Sequence, residues 1–393
     1  VIENDNESNY HAWIFFRSGT TMRKSFLLLL ASLLFSILSC AQAKTVTDIL
    51  GRRVDVPDNP QRIVLGESRM LYTLALLEPG DPARRVVGWP RDLARYDAQS
   101  WQLYSRKFPH IAQIPAIGGG NFRQINPESL IQLRPDLVIL ARYAREDGDE
   151  AQRVAALGKA GIPVVYVDLR IDLLHNTVPS VRLLGELLNR QARAEAFITF
   201  YQQHMTAVRE RLAAYHGDKP KVMLHLHLGR RDTCCTTAAH GNLGDLVTFA
   251  GGENIANASI KGVYGELNPE TLLTANPDVY LATGMAGEQG KRYSDLLLGP
   301  QVSRRQADDS FRRLIQQQPM IAGLNAVKNQ RAWSIWHNFY LSPYHVVAVE
   351  MFAKAFYPQL FADIDPQETF RQLYQQFLPL PFSGTYWSQL TGE

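Results

Sequence analysis

Cysteine is scarce: the 393-residue chain has three, Cys40, Cys234 and Cys235. Cys40 falls in an N-terminal segment that reads as a cleaved signal and the other two are adjacent, so no pair is left to staple distant segments, and a disulfide framework is excluded. Stability has to come from packed cores. Dense runs of one charge are also missing. Formal net charge is +3, and no basic run follows a phosphate backbone, which argues against nucleic acid as a partner. No G-x-S-x-G elbow, H-E-x-x-H pair or P-loop occurs. Gly118-Gly119-Gly120 lacks the helix-opening G-x-G-x-x-G spacing of a dinucleotide site. The chain is therefore expected to be no enzyme and to hold no permanent cofactor. Past the N-terminal region, no apolar stretch is long enough to span a bilayer.

What is present is 46% hydrophobic residues, enough for two α/β cores. Residues 1–21 are polar and patternless and read as upstream sequence. Met22-Arg23-Lys24 then opens an apolar run from Phe26 to Leu38 that closes at Ala41-Gln42-Ala43. A basic start, a short apolar centre and an A-x-A site predict a signal peptide over 22–43. Ile37-Leu38-Ser39-Cys40 also resembles a lipoprotein box, which would put a lipid anchor on Cys40. Either route predicts a periplasmic protein.

Downstream, apolar β-branched runs alternate with amphipathic segments. Arg62–Leu65, Arg85–Trp89, Leu137–Leu140 and Pro163–Val167 read as strands, and Lys221–Leu226, Val279–Ala282 and Ala332–Ile335 continue the series. This alternation predicts βα units on parallel sheets. Helical spacing from about Val178 to Tyr215 predicts one connecting helix over 178–216, on the order of 50 Å long at ~1.5 Å per residue. The expected layout is an N-terminal lobe over 44–177, the helix, and a C-terminal lobe over 217–393, each lobe Rossmann-like with a central sheet.

An internal repeat supports two lobes. Asn126-Pro127-Glu128-Ser129-Leu130 precedes Arg134-Pro135-Asp136-Leu137-Val138. Asn268-Pro269-Glu270-Thr271-Leu272 precedes Asn276-Pro277-Asp278-Val279-Tyr280, with the same internal spacing, 142 residues later. In each copy Asn can cap a helix that starts Pro-Glu. A Pro-Asp turn then enters a strand.

These features, with Val46–Arg52, Pro60–Val64, Ile117-Gly118-Gly119, Leu183–Leu188 and Phe249–Asn254, resemble the helix-linked periplasmic solute-binding proteins of ABC importers for ferric siderophores, haem and cobalamin. The resemblance covers the whole chain after the signal segment and is specific to the class, not the ligand. It implies a monomeric receptor of limited hinge motion. Such a receptor captures a metal chelate, first a ferric siderophore, with haem or cobalamin as alternatives, and delivers it to an inner-membrane permease. It also implies that one exposed Glu on each lobe docks onto permease Arg residues. The matching positions are Glu128 and Glu270. Two carboxylates at equivalent sites would give a two-point electrostatic grip.

Ligands of open α/β sheets bind beyond the carboxyl ends of the strands. The residues there include Glu67, Ser68, Arg69, Trp89, Arg142, Tyr143, Asp168, Arg170, His227, Arg230, Arg231, Trp336, His337 and Tyr340. Aromatic faces suit a flat or greasy ligand, and Arg suits the oxygens around a metal. The expected ligand contacts are Trp89, Arg142, Tyr143, Arg231, Trp336, His337 and Tyr340. A haem ligand would need Tyr143, Tyr264, His227 or His337 as axial donor. His227 and Tyr264 are the candidates for direct metal contact. No tight set of three or four ligands is visible for a free metal ion. Cys234-Cys235 could form a strained disulfide, bind a soft metal, or pack as two small residues. A reductase acting on a bound ferric chelate through these thiols is the alternative from another functional class.

Overall fold

Strands that are apolar along their whole length need cover on both faces, and parallel sheets flanked by helices provide it. The computed structural model describes residues 43–118, 125–146, 148–230, 234–286 and 296–391. The predicted signal segment up to residue 42, Cys40 included, lies outside the described residues. Ala43–Thr47 (β1) pairs with Arg53–Pro57 (β2) in a two-stranded sheet. Ile63–Leu65 (β3), Val86–Gly88 (β4), Leu137–Ala141 (β5) and Val164–Val167 (β6) form a parallel sheet in the order β4-β3-β5-β6. Every residue of β5 and β6 is buried.

The second sheet contains Lys221–His225 (β7), Glu253–Asn254 (β9), Val279–Gly284 (β11), Ala332–Trp336 (β12) and Trp387–Gln389 (β13); Thr236–Ala238 (β8) and Tyr264–Glu266 (β10) form a separate antiparallel pair. The order is β13-β12-β11-β7-β9, parallel except where β13 runs against β12. The fold is thus α/β with two lobes, each built on its own central sheet.

The sequence repeat does the same work in both lobes. Asn126 accepts a hydrogen bond from the Glu128 N–H at 2.9 Å, and Asn268 from the Glu270 N–H at 2.8 Å. Each bond satisfies one orphan donor of a helix start. The Asp136 carboxylate accepts from the N–H groups of Gln61 and Arg62 at 2.7 and 2.9 Å, at the entrance to β3. The Asp278 carboxylate accepts from the Lys221 N–H at 2.8 Å, at the entrance to β7. The Pro-Asp turn therefore starts its own strand and latches the neighbouring one.

The predicted connecting helix is two helices, Leu173–Leu187 and Gln191–Ala213, of 15 and 23 residues. The break has a local cause. Asn189 takes the left-handed conformation at φ 55°, and the Arg190 N–H donates to the Gly185 carbonyl at 2.7 Å. Asn tolerates that conformation better than other residues with a side chain. Gly185 lets the two helices meet: a Cβ there would stand 2.5 Å from Cβ of Ala194. The longer helix binds both lobes. Its Arg193 donates to the carbonyls of Leu76 and Phe377, both at 2.7 Å.

One buried apolar cluster runs through both lobes and this helix, from Leu65 and Phe197 to Phe352 and Tyr386. A smaller one fills the other face of the first sheet, around Val64, Leu130, Val138 and Tyr166. No described helix is long and apolar enough to cross a membrane.

Candidate ligand-binding cavity

The carboxyl ends of β3, β5 and β6 in one sheet and of β7, β11 and β12 in the other converge on a cavity of about 190 Å³. It is lined by Glu67, Arg69, Tyr96, Tyr143 and Arg170 from the first lobe, and by His227, Arg230, Met285, His337 and Tyr340 from the second.

Two arginines dominate it. Arg69 is 5% exposed. Its Nε donates to the Asp92 carboxylate at 3.0 Å, and its NH1 crosses to the other lobe, 2.9 Å from the Tyr340 hydroxyl and 3.2 Å from Oδ1 of Asn338. Ser68 fixes Asp92 in turn, with its N–H and its hydroxyl both 2.7 Å from Oδ1. Arg170 donates to Glu67 at 2.5 Å. Its guanidinium lies over the rings of Tyr143 and Tyr340, 4.7 and 4.9 Å from the centroids. Arg69 lies over Tyr96 and Tyr340 at 4.9 and 5.6 Å. Both cations therefore lie near the Tyr340 ring, whose face attracts positive charge.

Burial works against the charge on both arginines. For Arg69 the Tyr340 hydroxyl, Asp92 and Glu67 more than offset it; for Arg170 Glu67 and Tyr340 do. Both pKa values are raised, so both guanidinium groups stay charged. Burial pushes the Glu67 carboxyl up, against the pull of Arg170 and Arg69.

The loop that presents Arg170 is fixed by Asp168. Its carboxylate accepts from the N–H groups of Arg170, Ile171 and Asp172 at 3.1, 2.8 and 3.1 Å, and from the Asn176 side chain at 2.9 Å. Across the cavity, the rings of His227 and His337 lie 3.7 Å apart, centroid to centroid. Thr283 organises both: its hydroxyl oxygen accepts from the His227 N–H at 2.8 Å and stands 2.9 Å from Nδ1 of His337. Burial, then His227 and the nearby arginines, push the His337 pKa well below the ordinary value. That imidazole is neutral.

The expected contacts divide. Tyr143, His337 and Tyr340 line the cavity, as does His227. Arg142 stands aside, 3.3 Å from Asp168 with its side chain 42% exposed. Trp89 and Trp336 do not reach the cavity; both are 2% exposed. Trp89 packs edge-on against Trp101, and Trp336 against Tyr72, Phe339 and Tyr386. Their area fills the core behind the cavity. Tyr264 is 42% exposed on β10, and Arg231 lies outside the described residues. Glu67, Arg69, Arg170 and Arg230 follow strands, a signal that could have ranked them higher. Met285 also follows a strand, β11, but Tyr96 comes from the helical segment Asp92–Tyr96 and carries no sequence signal.

Residues 63–335 match the family model for periplasmic binding proteins. The chain belongs to that family. This periplasmic binding protein is the substrate-binding component of an ABC importer. It carries its ligand as cargo, hands it to the permease, and is not an enzyme. It is 26% identical to the molybdate-binding protein MolA of Haemophilus influenzae over 89% of this chain and 95% of that one. A partial match at 31% identity links it to the high-affinity heme uptake system protein IsdE of Staphylococcus aureus, over 31% of this chain and 41% of that one. Among solved structures, the TroA-like periplasmic binding protein FepB from Veillonella parvula superposes with a TM-score of 0.81 at 26% identity, over 88% of this chain and 99% of that one.

Proposed function

We propose that this receptor carries a small anion of the molybdate class, a tetrahedral oxyanion, into an ABC importer. The observation that carries this reading is the pair of buried, charged guanidinium groups of Arg69 and Arg170, both close to Tyr340 at one small cavity. Guanidinium forks match oxyanion oxygens two at a time. The neutral His337 imidazole and the tyrosine hydroxyls can donate further hydrogen bonds without adding charge. The volume of about 190 Å³ lies below the range of roughly 300–1,000 Å³ usual for drug-sized ligands. It therefore suits a compact ion better than a ferric siderophore, haem or cobalamin. The similarity to a molybdate-binding relative over nearly its full length points the same way.

A second reading rests on the His227–His337 pair: a compact anionic metal chelate whose open coordination positions these imidazoles fill. Calorimetry separates the two. Molybdate and tungstate binding at one equivalent supports the oxyanion. Silence toward both, with saturable binding of a ferric or nickel chelate, overturns it.

The same receptor role gives Glu128 and Glu270 a task. Both are exposed, and both stand second in helices capped by Asn126 and Asn268. We propose them as the paired contacts to the permease.

A further inference from the structure

Behind the cavity lies a set of side chains that ligand capture does not use. We propose that Cys234, Cys235 and His225 form a site for one soft, thiophilic metal ion of the Cu(I) class, open when the two sulfurs are reduced. The sulfur and imidazole nitrogen atoms of the three all lie within 4.8 Å of one another. Three donors of type S, S and N suit a d¹⁰ ion that accepts low coordination, and thiolates select soft metals over hard ones.

The surroundings are built for it. His225 is 4% exposed and Cys235 is 1% exposed, while Cys234 is only partly buried and leaves a way in. Nδ1 of His225 is 2.7 Å from the Tyr280 hydroxyl, so Nε2 is the nitrogen left for a metal. A partner on the far ring nitrogen is what orients a ligating histidine. The backbone is tied on both sides: the Leu226 N–H donates to Thr236 at 2.7 Å, and the Leu267 N–H to Cys235 at 3.0 Å. None of the three ligands lines the ligand cavity.

Cys234 and Cys235 are chain neighbours with their sulfurs in contact; oxidised to a vicinal disulfide, they offer no thiolate. A dithiol donor can open the site. Two electrons and two protons pass to the S–S bond, giving two thiols, and the donor becomes a disulfide. Metal binding then releases the two thiol protons. The site is therefore gated by redox state and distinct from the cargo cavity.

The test uses the full chain with Cys40→Ser, so that only this cysteine pair remains. The protein is reduced with a phosphine, desalted without oxygen, and titrated with Cu(I) against a chromogenic chelator. The reduced protein should withdraw one equivalent, and the oxidised protein none. Cys234→Ser/Cys235→Ser should lose at least 100-fold in affinity while keeping its circular dichroism spectrum. Tyr280→Phe should lose on the order of 10-fold, as expected for the group that orients a ligand. No copper taken up after reduction overturns the proposal. Equal uptake by the double serine variant also overturns it, since it places the copper elsewhere, for instance on the His227–His337 pair.

Discussion

The two lobes share a skeleton and differ in the chemistry they bring to the cleft. In both, an Asn-capped Pro-Glu helix leads through a Pro-Asp turn into a strand, and the Asp latches the strand beside it. The first lobe then places the cations Arg69 and Arg170 and the carboxylate Glu67 at its strand ends. The second places one cation, Arg230, with the neutral His337, the hydroxyl of Tyr340 and the ring of His227. The residues that start strands are under the same backbone constraint in each lobe, so they repeat. The residues that end strands face the ligand, and each lobe can specialise. In the proposed oxyanion receptor, the first lobe supplies two buried cations, and the second adds Arg230 and most of the directional donors.

The most damaging way to break this division is to remove charge from the first lobe. Arg69→Gln leaves Asp92 buried without its cation and cuts the bonds to Asn338 and Tyr340. Breaking a buried pair costs about 3–5 kcal/mol of stability. Oxyanion affinity should fall at least 100-fold by calorimetry. Asp92→Asn added to Arg69→Gln should restore much of the stability, read by urea unfolding, and none of the affinity. Restored affinity would show that Arg69 only holds the fold.

The next largest effect separates the repeated skeleton from the cleft. Glu128→Lys/Glu270→Lys reverses the two exposed charges at equivalent places. Uptake in cells should fall at least 10-fold, with oxyanion affinity unchanged within twofold. Loss of affinity in the purified variant would remove the docking role.

Strands, lobes and the repeat were legible in the sequence because they follow from local pattern: apolar runs, Asn caps and Pro-Asp turns. The starts of the seven strands read from the sequence came out within a residue or two. The break after Leu188 did not, since it turns on one Asn adopting a left-handed backbone beside a helix contact at Gly185. The cavity was half legible. Position after a strand put Tyr143, His337 and Tyr340 in the right place. The same rule named Arg69 and Arg170, but a lone arginine reads as a surface charge. Their burial depends on Asp92, Glu67 and Tyr340, and Tyr340 is 271 positions from Arg69. Trp89 and Trp336 were overvalued on size: a large aromatic at a strand end can point into the sheet's own core.

A pH series sharpens the comparison at the junction of the second lobe with the long helix. His345 starts the helix His345–Phe356, and its Nδ1 is 2.8 Å from the Ser342 carbonyl. A carbonyl only accepts, so Nδ1 carries the proton. Nε2, 2.8 Å from the Tyr201 hydroxyl, is then the acceptor. Burial pushes the His345 pKa down to about 4, with the Ser342 carbonyl pulling the other way. The unfolded chain takes up this proton below about pH 6.5 and the folded chain does not until about pH 4. Stability is therefore complete above pH 6.5 and declines as pH falls toward 4. The loss from this one group approaches about 3 kcal/mol. Urea unfolding of the parent and of His345→Gln at pH 7 and pH 4.5 measures it: the variant should show a smaller difference, with His225 and His337, whose pKa values burial also lowers, supplying the remainder.

The smallest expected effect tests where the boundary of the cavity runs. Trp336 ends β12, one residue before His337, yet its ring packs within 5.3–5.7 Å of Tyr386, Phe339 and Tyr72. Trp336→Phe removes core volume and should cost on the order of 1–3 kcal/mol in thermal or urea unfolding. Oxyanion affinity should stay within twofold of the parent, because the ring packs among aromatic core residues and does not line the cavity. His337→Ala, one position on, should weaken binding about 10-fold with a smaller stability loss. If the two variants traded places, with affinity following the tryptophan, the cleft would have to extend through the aromatic core that now separates them.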